Sequence, residues 1–214
     1  MEVQRSPRRY SSTLRAEQAA ATRARVVAAA AELFADRGYA GTSMPEIARH
    51  AGVSTETVQA HGPKASLLRA AIDAFAFGAE RDQDARETEL GARMLTARSG
   101  TEAAVIAAEV LTQVNAATHG LWLAFAEGAR TDHEIADAFA QLAAGIRAQN
   151  VALMHEWTAR GFVRDDVALD DLVDRAVLIG SVELYDRAVR VGGMPVEDYR
   201  RLLASMLAEL LTVR

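Results

Sequence analysis

The chain has 214 residues, half of them apolar, enough for one substantial core or for a small domain joined to a larger one. It holds no cysteine, which excludes disulfides and thiolate metal sites and suits a reducing cytoplasm; no cofactor is implied. The net charge of −5 argues against a nucleic-acid partner until it is divided: residues 1–66 carry nine Lys or Arg against six Asp or Glu, a surplus of three, which leaves −8 for the rest.

Four prolines and abundant alanine and leucine point to an all-α protein. No apolar run approaches the roughly 18 residues that suggest a membrane span. Arg8-Arg9 is followed by Tyr10-Ser11-Ser12 and not by an apolar stretch, so it does not read as an export signal. The expected location is the cytoplasm.

Residues 1–21, with Arg5, Arg8, Arg9 and Arg15 among polar and turn residues, read as a flexible basic arm. A helix follows over residues 22–37, with Val26, Val27, Ala30, Leu33 and Phe34 on one stripe and Gly38-Tyr39 at its end. Residues 43–59 read as a helix-turn-helix. Ser43 and Glu46 form a capping box before the apolar positions Met44, Ile47, Ala48 and Ala51. Gly52 supplies the positive φ of a tight turn, Val53 plugs the interhelical angle, and Ser54 caps a second helix opening with Thr55, Glu56 and Thr57. Pro63-Lys64 opens a further helix through Phe75. An ordinary αα-corner uses the same caps and glycine, so the flanking helices decide the reading.

A helix entering a major groove presents its N-terminal side chains to base edges. Thr55 suits a thymine methyl or an acceptor, Glu56 a cytosine amino group, and Gln59 a phosphate or an adenine edge. Thr42, Ser43 and Lys64 are placed for phosphates, and His61 for the same. With Ser54 and Thr57 these complete the candidate DNA-binding set, and the implied partner is double-stranded DNA.

From residue 22 to residue 68 the chain resembles the N-terminal domain of the TetR family of transcriptional regulators. The likeness rests on Leu33-Phe34, Arg37-Gly38-Tyr39, Thr42-Ser43, Ile47-Ala48, Ala51-Gly52-Val53-Ser54, Thr57 and Lys64. The family usually continues Thr-Leu-Tyr-Tyr/Ala-His-Phe-x-x-Lys. Here residues 57–64 read Thr-Val-Gln-Ala-His-Gly-Pro-Lys, so Gln59 holds the aromatic phosphate-contacting position, Gly62 the buried Phe position, and one residue is missing before the lysine. The resemblance implies a helix-turn-helix domain over residues 22–66 and a ligand-binding and dimerisation bundle of about six helices over residues 67–214.

Within that bundle, helices are expected to about residue 86, then over residues 101–117, 120–129, 132–160, 169–191 and 196–212, with 87–100 as a loop. A pocket for a small hydrophobic effector is expected from Phe75, Trp122, Phe125, Met154 and Trp157, with Gln113, Asn150 and Tyr185 as polar anchors and His119 nearby. The wide stripe Tyr199, Leu203, Met206 and Leu210 on the last helix, with Leu178, Val182 and Tyr185 on the preceding one, suggests a homodimer interface of four helices around a twofold axis, which is how the family's dimers are built. The same stripes would also serve to close the protomer's own core.

Enzymatic motifs are lacking. His133-Glu134 and His155-Glu156 have Asp137 and Ala159 where a zinc protease needs its second histidine, and no metal site is implied. No phosphate-binding glycine loop or nucleophile elbow is present. The sequence therefore reads as a ligand-responsive, homodimeric repressor of a palindromic operator, or as a helical adaptor that has lost specific DNA binding.

Overall fold

The computed structural model describes residues 10–77 and 89–211, which form helices and connecting turns with one isolated β-bridge between Val163 and Leu211. In chain order the helices are α1 (Tyr10–Arg37), α2 (Met44–Ala51), α3 (Thr55–Ala60), α4 (Lys64–Phe77), α5 (Glu89–Met94), α6 (Gly100–Gly128), α7 (His133–Ala159), α8 (Leu169–Ile179), α9 (Val182–Tyr185) and α10 (Val196–Ala208). A π-helical segment, Asp186–Val191, continues α9. The all-α class and the order of a helix-turn-helix unit before a helical body agree with the sequence.

Four elements differ from the sequence reading. α1 begins at Tyr10, so residues 10–21 of the expected flexible arm are helical; residues 1–9 lie outside the described residues. Residues 16–21 are exposed, so packing does not hold them in place. They are rich in alanine and extend a helix already nucleated on its packed half, which removes the cost of starting one. The second difference is α6, one unbroken helix where two were expected. Gly120 does not break it because the missing side chain serves packing: a Cβ there would meet the Ala35 Cβ on α1 at 3.2 Å. Third, the helix expected over residues 169–191 is divided at Gly180-Ser181. The Ser181 hydroxyl accepts from the Leu184 N–H to cap α9, and Asn115 on α6 donates to the carbonyls of Gly180 and Ser181 at 3.1 and 3.3 Å. A side chain thus satisfies the Gly180 carbonyl at the break and adds a second donor to the Ser181 carbonyl, which also accepts from the Tyr185 N–H at 3.4 Å. Within the expected loop of residues 87–100, α5 forms.

Two apolar cores organise the molecule. The first joins Val26, Leu33 and Phe34 of α1, Ile47 of α2, Val58 of α3 and Leu67 and Leu68 of α4 to Leu121, Trp122 and Phe125 of α6 and Ile135 and Leu142 of α7. The helix-turn-helix end is thus not a separately packed unit; its core is continuous with α6 and α7. The second core holds Ala104, Ala107 and Ala108 of α6, Met154 and Trp157 of α7, Leu172 and Val173 of α8, Tyr185 of α9, and Tyr199, Leu203 and Leu207 of α10.

Candidate nucleic-acid interface

The interface is built on α2, the turn at Gly52 and α3. Glu46 accepts from the Ser43 backbone N–H at 2.9 Å and from its hydroxyl at 2.6 Å, closing the N-terminus of α2. These hydrogen bonds, helped by Arg37 and Arg49, hold the Glu46 carboxyl below its ordinary pKa. Arg37 Nη1 reaches the same carboxylate at 3.1 Å, and His50 on α2 lies 2.6 Å from the Glu32 carboxylate, so α2 is tied to α1 at two points. Gly52 adopts φ 67 and ψ 38, the left-handed conformation that a side chain disfavours. No atom lies within 4 Å of a Cβ built there, so backbone preference and not space selects glycine.

Ser54 caps α3: its hydroxyl accepts from the Thr57 N–H at 3.2 Å and lies 3.1 Å from the Thr57 hydroxyl. Glu56 folds back over the same turn, its carboxyl held below its ordinary pKa by its own backbone N–H and by Ser54. Val58 is fully buried and pins α3 to the core. Glu56 and Gln59 are exposed, and Thr55, Thr57 and His61 are half-exposed, so α3 presents polar side chains on the side away from Val58.

Two residues of the expected DNA-binding set are engaged within the fold, Thr42 fully and Lys64 in part. Thr42 is 2 % exposed, and its hydroxyl donates to the carbonyls of Leu33 and Gly38 at 3.1 and 2.9 Å. Its side chain closes the end of α1 and has nothing left for a phosphate. The Lys64 ammonium donates to the carbonyls of Tyr39 and Thr42 at 2.9 Å each and sits 3.9 Å from the centre of the Tyr39 ring. Partial burial lowers its pKa. It fastens the start of α4 to the turn after α1, with one N–H remaining. Ser43 is exposed at the start of α2.

Tyr39, whose role no local spacing reveals, joins the helix-turn-helix end to the body. Its ring stacks on Phe34 at 5.9 Å and lies against Gly128 at the end of α6, where a Cβ would come within 3.1 Å of it. Burial, with Asp132 and Glu134 nearby, pushes its hydroxyl up to about 12. Arg23 makes a second long-range link. Its Nη1 donates to the His61 carbonyl at 2.9 Å, a contact between residues 38 apart that no local spacing could reveal.

The match to known proteins follows this geometry. Residues 26–75 fit the family model described as bacterial regulatory proteins, tetR family. These residues form a TetR-family DNA-binding domain. No curated protein matches the chain. Among solved structures, a TetR transcriptional regulator from Chloroflexus aurantiacus is 22 % identical, with a TM-score of 0.66 over 91 % of this chain and 98 % of that one. A transcriptional regulator from Rhodococcus sp. is 20 % identical, with 0.63 over 88 % and 95 %. A TetR regulator from Haloarcula marismortui is 16 % identical, with 0.65 over 90 % and 100 %. The TetR fold thus extends over nearly the whole chain. Residues 26–75 thus carry the domain of tetR-family bacterial regulatory proteins, and among the described residues no helix is long and apolar enough to cross a membrane.

Beyond the TetR domain, the expected ligand and dimer residues fall differently from the sequence reading. Trp122 and Phe125 belong to the first core, where both rings pack on Phe139 at 4.9 and 5.3 Å; Met154, Trp157 and Tyr185 belong to the second. They do not line one pocket. Gln113 is exposed, Asn150 donates back to the Ile146 carbonyl, and the Phe75 side chain lies outside the described residues. An open cleft of about 400 Å³ lies instead between α1, α6 and the π-helical segment, lined by Phe34, His119, Leu123 and Val191 among others. Of the expected dimer residues, Val182, Tyr185, Tyr199, Leu203 and Leu210 are buried inside the protomer, and Met206 is half-buried. Their stripes close the protomer's own core. Leu178, 71 % exposed on α8, remains outward, together with Leu202 on α10.

Proposed function

We propose that the protein is a homodimeric repressor that binds a palindromic operator in double-stranded DNA in the cytoplasm and leaves it when a small hydrophobic effector binds. The observation that carries this reading is α3, pinned by Val58 on one side and polar on the other, with Gln59 and Glu56 exposed. Thr55, Glu56 and Gln59 are the base-reading residues, and Ser43, His61 and the remaining N–H of Lys64 serve phosphates. One such helix makes few base contacts, each worth about 1–3 kcal/mol. Two copies about one helical turn apart supply the needed specificity. The outward leucines Leu178 and Leu202 on α8 and α10 mark the surface through which two copies pair.

The second core suits an effector with apolar bulk and a polar anchor. There the Trp157 indole N–H and the Tyr199 hydroxyl are buried without a hydrogen bond of standard geometry among the described residues. α6 runs from that core to the Ala35 and Tyr39 contacts with the reading end, and α4 begins at the reading end itself. An effector that prefers one setting of these helices lowers operator affinity by its differential affinity for the two settings; a tenfold loss takes about 1.4 kcal/mol.

The test is selection of duplexes from a random-sequence pool, with the bound species weighed by sedimentation. Enrichment of an inverted repeat, occupied by two chains in a salt-sensitive complex, is the expected result. Absence of selective retardation at low salt overturns the reading in favour of a helical adaptor. A thermal-shift screen against hydrophobic and cationic compounds then addresses the effector, and a stabilising hit should weaken operator binding in proportion.

A further inference from the structure

This inference rests on α3 being the helix that meets DNA. α3 spans six residues, far below the roughly 12–15 that an isolated helix needs in water, so its orientation is imposed by its surroundings. Val58 fixes one face and Ser54 closes the N-terminus. At the C-terminus the His61 and Gly62 N–H groups bond the Val58 and Gln59 carbonyls at 3.0 Å each, a local closure that does not reach the His61 carbonyl. The last turn of α3 carries no basic residue, His61 leaves the helix at φ −88 and ψ 0, and Gly62 turns the chain away at φ 119.

The His61 carbonyl is held from α1. Arg23 Nη1 donates to the His61 carbonyl at 2.9 Å in a partly buried setting. A guanidinium at the carbonyl end of a helix satisfies an otherwise unpaired acceptor and complements the helix dipole. Lys64 binds the carbonyls of Tyr39 and Thr42 on the other side of the same turn. The connection from α3 to α4 is thus fastened by two cations, one reaching from α1 and one reaching back to the turn after it.

We propose that Arg23 is a positioning residue for sequence recognition: it sets the angle of α3 by holding its C-terminal carbonyl, and does not act as a phosphate contact. The two roles leave different marks on binding. A phosphate contact adds affinity for any sequence and about one unit to the salt dependence. A positioning contact adds affinity for the selected sequence alone, because a tilted α3 loses base edges while the hold on phosphates persists.

Arg23→Met keeps the aliphatic stem and removes the donors; Arg23→Lys restores one. On a duplex enriched by the wild-type protein, Arg23→Met is expected to weaken binding about tenfold, with an unselected duplex of equal length bound as before and the salt slope unchanged. Arg23→Lys should recover most of the loss. Equal weakening on both duplexes with a slope smaller by about one overturns the proposal, and so does no loss at all. Failure of the wild-type protein to enrich any duplex overturns the reading of α3 instead. A second measurement needs no DNA: amide hydrogen exchange at residues 57–62 should accelerate about tenfold in Arg23→Met while residues 26–34 keep their protection. Unchanged exchange in α3 overturns the positioning role on its own.

Discussion

Gly120 on α6 meets Ala35 on α1 so closely that a methyl group would be crowded between them: a Cβ at Gly120 would lie 3.2 Å from the Ala35 Cβ and 3.3 Å from the Ala35 carbonyl oxygen. The obstacle is largely backbone, which cannot swing aside. Gly120→Val should therefore destabilise the protein by about 1–3 kcal/mol through overpacking, despite removing a glycine from a helix. Gly145 on α7 is the control, since no atom lies within 4 Å of its Cβ position. There Gly145→Ala should stabilise by about 0.5–1 kcal/mol through helix propensity alone. Urea unfolding of both variants reads the two signs. A stabilised Gly120→Val would mean that α1 and α6 are not in contact as described.

Much of the reading end is legible in the sequence because its determinants are local. The Ser43–Glu46 box, Gly52 and the Ser54 cap each act within a few residues, and each appears where the spacing put it. The roles of Thr42, Lys64, Arg23 and Tyr39 are long-range: they depend on which carbonyl or helix end lies opposite after folding. The C-terminal stripes show the same limit. Periodicity shows that Tyr199, Leu203 and Leu210 share a buried face, but it cannot say whether the cover is another helix of the same chain or a second protomer. Gly120 and Gly180 have the same residue type and opposite outcomes, continuous packing in one and a break in the other, because their neighbours differ.

The Tyr39 phenol gives a pH dependence of definite sign. Its pKa is raised from the ordinary 10 to about 12, chiefly by desolvation and then by Asp132 and Glu134. The folded state keeps the proton that the unfolded state loses, so this contribution is complete below pH 10 and fades as pH rises towards 12. Lys64, whose pKa is lowered by burial, acts in the opposite sense. Tyr39→Phe keeps the ring under the ammonium and removes only the titrating group. Stability of the wild-type protein relative to Tyr39→Phe should fall across that window, with phenolate absorbance tracking the loss. A flat difference would place the hydroxyl in water.

The exposed and buried leucines of α8 and α10 allow the proposed assembly to be tested apart from folding. Leu178 is 71 % exposed, whereas Leu203 is 1 % exposed in the second core. Leu178→Glu should leave helicity and thermal stability of the protomer nearly unchanged while shifting sedimentation towards the monomer and abolishing tight operator binding. Leu203→Glu buries a charge without a partner and should prevent folding at any concentration. If Leu178→Glu sediments as the wild-type protein does, the pairing surface lies elsewhere.

If α3 reads bases as proposed, that task is separable from stability because Val58 carries the packing while Thr55 and Gln59 are more exposed. Val58 carries the packing at 0 % exposure, and Gln59, next to it in sequence, is exposed. Thr55→Ala and Gln59→Ala should leave unfolding by urea within about 0.5 kcal/mol of the wild type, the usual range for surface positions. Each should cost about 1–3 kcal/mol on the selected duplex and relax preference at one base position per half-site. A uniform loss across all sequences at Gln59 would assign it to a phosphate, the role of the aromatic residue it replaces. The choice between these outcomes also measures how far the shortened segment of residues 57–64 has redrawn the contacts at the end of this helix, since His61 and Gly62 set where Gln59 points.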